Sequence, residues 1–323
     1  MRKTRIAFII IAVALILVGA AICTAVLASS NFDLSKFGNT RMVTNTYTVD
    51  EDFRDIQVRT STADIVFEPS QDGKCRVVCQ EEEKLMHTVS VKDGALTVEF
   101  KDSRKWYERF GFFGINTSSP KVTVYLPGSS YASLTVKSST GDVTVPNGFA
   151  FDSVSIENST GSASIRAAVT GLIDVRTSTG GILVENTAVG ELKFKTSTGS
   201  ICVNGVNCKG AVGAELSTGG TLFTDLECAS LELHSSTGNV SLTRTVVSGA
   251  MRLKTNTGDV RFEKSDAAEI YVETNTGDIT GSFLTEKVIL AESDTGKISV
   301  PKSVSGGRCE LKTDTGDIRI GIE

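Results

Sequence analysis

Two histidines and seven cysteines are the residues of this 323-residue chain whose types could most directly carry acid–base, nucleophilic or metal chemistry. His234 falls in a column that recurs every 19 or 20 residues with other charged side chains. Neither His234 nor His87 stands beside an unrepeated serine or cysteine in a hydrolase motif. The cysteines show no Cys-x-x-Cys spacing, which argues against a zinc site, and their odd number argues against a disulfide scaffold. Cys208 and Cys228 each lie nine residues after a Thr-Gly glycine, so stacked repeats would set them about 4.8 Å apart. Two readings follow for that pair, a disulfide or two buried thiols. No catalytic residue, metal ligand or cofactor site is assigned. Most acids recur at repeat positions, as in a scaffold. Calcium would need a more regular acidic pattern than the slot after the glycine offers, and Asp294 beside Asp314 is the one local place for it.

Residues 101–119, KDSRKWYERFGFFGINTSS, interrupt the pattern and contain Trp106, Tyr107, Phe110, Phe112 and Phe113. Such a loop can stack on sugar rings or cover the end of a core. These five aromatics are the candidate interaction residues.

The element that must position everything else is a repeat. Thr-Gly recurs with its glycine at 141, 161, 180, 199, 219, 238, 258, 277, 296 and 316. Apolar residues alternate on both sides of it, as Leu192 and Phe194 before Gly199 and Ile201 and Val203 after it, which is a strand signal. Each unit reads as strand, Thr-Gly turn, strand and arc, and must stack on its neighbours to bury its apolar edge. The predicted fold is all-β, a parallel β-solenoid of coils 19–20 residues long. An antiparallel meander, with the Thr-Gly corner as a hairpin turn, is the competing architecture. A degenerate copy at Thr60-Ser61-Thr62-Ala63-Asp64-Ile65 lies 78 residues before Gly141, or four periods, and suggests that the stack begins there. Residues 53–140 then form an irregular part and 141–323 the regular solenoid. Seven residues follow Gly316, so the last coil is expected to be open and available for self-association, with Arg319 at its edge.

The opening segment has Arg2, Lys3 and Arg5 and no charge from Ile6 to Ala28. Residues 1–5 read as a cytoplasmic n-region, 6–28 as a transmembrane signal anchor and 29–52 as a linker and first strand region. Cleavage after Ala28 is the alternative. This predicts a single-pass cell-membrane protein with a cytoplasmic N-terminus, its bulk extracellular, and the membrane as a partner through the helix. Without those three basic residues, 30 basic side chains face 38 acidic ones, a net of −8 that disfavours nucleic acid.

FRDIQVRTSTADIVFEP (53–69), VTVYLPGSSYASLTVKSSTGDVTV (122–145) and the serial STGD and NTGD repeats resemble the bacterial "putative adhesin" β-strand-repeat family, a domain of unknown function. The resemblance covers residues 45–320. It implies a surface location, adhesion and a link to cell-envelope stress, and assigns no functional residues. The expected function is a non-catalytic binding module for an envelope or cell-surface ligand. A carbohydrate-active enzyme on the same scaffold and a structural spacer are the alternatives.

Overall fold

A computed structural model describes residues 2–29, 41–104 and 119–323. The uncharged run forms a helix, Arg2–Ser29. The expected single-pass membrane location is corrected: among the described residues no helix is long and apolar enough to cross a membrane.

Residues 53–69, 95–102 and 121–323 build the parallel solenoid, and every pairing between coils from Gly141 onward is parallel. The hairpin alternative is thereby excluded. Alternation decides the rest: along Ala211–Thr218 the inward Val212, Ala214 and Leu216 are buried between exposed neighbours.

The Thr-Gly corner follows from how closely the coils approach there. Gly180 has φ +149°, and a Cβ on it would stand 2.0 Å from the carbonyl oxygen of Gly161 in the coil before. Only glycine fits. The hydroxyl three residues before the glycine donates to the same stacked carbonyls: Thr196 Oγ1 reaches Gly180 O at 3.2 Å and Thr313 Oγ1 reaches Gly277 O at 3.0 Å. The aspartate after the glycine accepts the backbone N–H of its counterpart in the next coil. Thus Asp142 N–H donates to Asp64, Ser162 N–H to Asp142 and Asp278 N–H to Asp259, at 2.7–2.9 Å. The STGD motif is a ladder of backbone caps. The column four residues before the glycine adds exposed ion pairs, Lys137–Glu157, Lys195–Glu215 and Lys254–Glu273.

The start of the stack differs from the expected count of four periods. Strands β1 (Met42–Val49), β2 (Asp55–Arg59), β3 (Asp64–Pro69), β4 (Cys75–Glu82), β5 (Leu85–Lys92), β6 (Ala95–Asp102) and β7 (Lys121–Leu126) form this end. The Ala63 coil stacks directly on the Gly141 coil, Ile56 beside Leu134 and Ile65 beside Val143. No coil lies between them. The intervening chain instead passes beneath: β6 and β7 pair with β2 and β3, while β4 and β5 turn back antiparallel and β1 pairs with β4.

The far end departs from chain order. The Gly316 coil pairs with the Gly277 coil on one side, Ile270 beside Cys309, and with the Gly296 coil on the other, Ile289 beside Cys309. The last coil in sequence is therefore inserted before the preceding one. Electrostatics favour that order: the outer column reads Glu273, Lys312, Glu292, whereas chain order would set Glu273 against Glu292. The crossing chain squeezes through at Gly306 and Gly307, whose Cβ atoms would lie 1.9 Å from Glu286 O and 2.0 Å from Ala268 O. Lys287, buried, reaches past Gly307 to Asp266 at 2.5 Å. The expected open coil after Gly316 is thus corrected: Arg319 sits in a strand paired on both faces, and the open coil is that of Gly296.

Two outcomes test these contacts. Gly199→Ala should lower stability by about 2 kcal/mol or more, because backbone must move, whereas Gly213→Ala, whose Cβ would meet only Leu192 O at an ordinary 3.9 Å, should change it by less than about 0.5 kcal/mol; thermal melts compare them. Lys287→Met leaves Asp266 buried without its cation and should cost about 3 kcal/mol, largely recovered in Lys287→Met/Asp266→Leu.

Candidate functional site

The alternating strands of the first end turn three polar residues inward to one point. Glu81 on β4 and His87 on β5 face Thr60, which follows β2, and all three are buried. His87 Nδ1 donates to Glu81 Oε2 at 2.6 Å, and Nε2 lies 2.8 Å from Thr60 Oγ1. The carboxylate fixes the tautomer, so Nε2 accepts the threonine hydroxyl. Acid, base and hydroxyl are connected as in a hydrolase triad. The surroundings close it: Glu81 also accepts from His87 N–H and Asn45 Nδ2, both at 2.7 Å, and Phe100 packs on the ring with centroids 5.6 Å apart. Tyr47 Oη donates to His87 O at 2.8 Å. Five segments are stapled together here, and the threonine hydroxyl is spent on the histidine within the cap.

Cys79, Glu81 and His87 also form the one set of three metal-type donors among the described residues, their atoms within 4.8 Å of one another. The fit is poor, because both His87 nitrogens and both Glu81 oxygens already have hydrogen-bond partners, and burial pushes the Cys79 thiol up to about 12. The sequence reading missed this cluster. Its only signal was Glu81 on the inward side of an otherwise apolar strand.

Cys208 and Cys228 are free thiols, both buried and next to each other in the stack. Cys208 Sγ lies 3.6 Å from the carbonyl oxygens of Gly190 and Gly210. Trp106, Tyr107, Phe110, Phe112 and Phe113 lie outside the described residues.

The outer face of the strands that precede the corners is the more accessible candidate. A depression of about 380 Å³ is lined by Lys195, Glu215, His234 and Lys254. It shares His234 and Lys254 with a second of about 330 Å³, where Arg252 stands 4.9 Å over the Tyr271 ring. A third of about 370 Å³, with Glu310, Lys312 and Leu290, continues to the open end. Together they form a shallow trough along the rod. Its charges are mutually balanced: the hydrogen bond from Lys195 holds the Glu215 carboxyl below its ordinary range, and the bond to Glu269 raises the Tyr271 phenol above its own.

Burial raises the thiols of Cys75 to about 11 and of Cys79, Cys228 and Cys309 to about 12, from 9.0. A raised folded value stabilises the fold below the unfolded pKa. That contribution is lost as pH climbs from about 9 through 12. Stability should therefore begin to fall near pH 9, and Cys228→Ala/Cys309→Ala should flatten that fall in thermal melts recorded from pH 8 to pH 11.

Against known proteins, the Toastrack DUF4097 family matches residues 53–219 and 211–323. No curated protein matches the chain. Among solved structures, a putative adhesin from Parabacteroides distasonis is 19% identical, with a TM-score of 0.52 over 76% of this chain and 98% of that one. A putative lipid binding protein from the same species is 13% identical, with a TM-score of 0.51 over 88% and 98%. These likenesses show the fold. The two matches together span residues 53–323, and the chain belongs to the Toastrack DUF4097 family.

Proposed function

We propose that this protein is a non-catalytic, adhesin-like binding module that holds an extended, neutral glycan of a cell envelope along its outer trough. The observation that carries this reading is the continuity of three open depressions across consecutive coils, with the Arg252–Tyr271 pair between them. Coils repeat about every 4.8 Å, so an extended chain meets the same kind of contact again and again along the rod. Balanced Lys, Arg and Glu columns offer donors and acceptors to hydroxyls without selecting a charged polymer. Tyr271 adds a flat apolar face for a sugar ring. The similar structure described as a putative adhesin accords with this reading. Lipid binding, the description of the other, suits a charged and shallow trough less well.

The test is a glycan array probed with the full chain and with Arg252→Ala/Tyr271→Ala. Capture of a neutral glycan that the double variant weakens by about tenfold or more supports the reading. Capture of none overturns it and leaves a structural spacer. Capture unaffected by the double variant but lost in Trp106→Ala moves the site to the aromatic segment.

A further inference from the structure

The Gly296 coil carries an uncovered cross-section of the core. Its strand Lys287–Thr295 and the short strand Ile298–Ser299 pair with the Gly316 coil on one side only, among the described residues. Inward positions that are sealed elsewhere are open here: Ile298 is 45% exposed, whereas Ile318 and Ile279 in the two coils behind it are fully buried. Ile289 and Ala291 are half-buried although Cys309 and Leu311 beside them are sealed. The outward slot six residues before the glycine holds polar residues, glycine or Tyr271 in the other coils and Leu290 here, 58% exposed. Unpaired backbone and exposed core on one edge need a cover.

The geometry points to a second copy of this chain as that cover, joined end to end about a two-fold axis. The opposite end of the core carries the antiparallel strands β1, β4 and β5 in place of a Thr-Gly coil, so head-to-tail stacking would set unlike layers together. Two bent coils turned face to face overlap on both arms only when the axis bisects the corner, which lays the arm before Gly296 on the partner's arm after it. Chain direction reverses, so the pairing is antiparallel, and the axis between Thr295 and Gly296 fixes the register. Ala291 then meets the partner's Val300, and Ser293 meets the partner's Ile298. Inward residues face inward residues, and the two cores become one. The same register sets Asp294 against the partner's Lys297, twice by symmetry. Both side chains are exposed and make no ion pair within their own chain. A single coil thus carries both halves of a self-complementary charge pair, three residues apart across the corner.

Charge exchange tests this assignment. Sedimentation equilibrium of the full chain from about 1 to 100 μM, where interfaces of modest area associate, should show a monomer–dimer equilibrium. Lys297→Asp places aspartate against Asp294 and should weaken the dimer about tenfold or more, while Asp294→Lys/Lys297→Asp restores opposite charges and should return it to within about threefold of the parent. Ser299 faces the partner's Glu292 in this register and is exposed, so Ser299→Lys should tighten the dimer without disturbing the fold. A monomer across the whole range overturns the proposal. So does a dimer that ignores Lys297→Asp, or one weakened by Ser299→Lys at an unchanged melting temperature.

Discussion

Adjacent corners approach so closely that the chain has no room for a Cβ, and the rest of the rod is arranged around that approach. Gly180 illustrates it, 2.0 Å from a carbonyl oxygen at the place its side chain would begin. Once coils are locked at that distance, each position in one must lie over the same position in the next. The threonine three residues earlier then finds a carbonyl to donate to, and the aspartate after the glycine finds an N–H to accept. Inward Val, Ile, Leu and Phe stack into one continuous core, while outward charges form columns in which Lys195 meets Glu215 and Lys254 meets Glu273. The motif is repeated because each copy satisfies its neighbour, not because each performs a reaction.

A stack of identical layers has two ends, and this chain treats them differently. At the first, strands that turn antiparallel bring a buried polar staple, Thr60–His87–Glu81–Asn45, under the opening coil. At the second, the final coil in sequence slides between its two predecessors, threaded at Gly306 and Gly307 and braced by Lys287 on Asp266. The coil left outside carries the exposed Ile298 and Leu290. One end is finished within the chain, and the other presents its core.

The two histidines show how environment, not residue type, decides chemistry. His87 sits in a chain of hydrogen bonds that a hydrolase would use, yet its hydroxyl partner is buried within the cap. His234 is exposed on the trough, beside Glu232 at 3.1 Å and within the balanced charge columns.

Periodicity by itself determined the class of fold, the coil length and the inward residues, because a 19–20-residue recurrence of alternating apolar positions around Thr-Gly has few other ways to bury its edge. It also implied the charge columns, since Lys137 and Glu157 must be neighbours once coils are in register. The tertiary structure alone decided what lies between periods. The 78 residues from Ala63 to Gly141 equal four coils in length, yet the two corners are directly stacked, because contact depends on which strand edge is free and not on the number of residues in between. The order of the last three coils was hidden for the same reason: any of them fits the shared corner, and the choice was left to packing and to Lys312 between Glu273 and Glu292. The cap cluster joins Glu81 and His87, six residues apart on consecutive strands, to Thr60 and Asn45 from elsewhere in the chain, and only the folded cap shows that all four turn to one point. The apolar run from Ile6 to Ala28 foretold the helix Arg2–Ser29, whereas the membrane span read from that run is not upheld among the described residues.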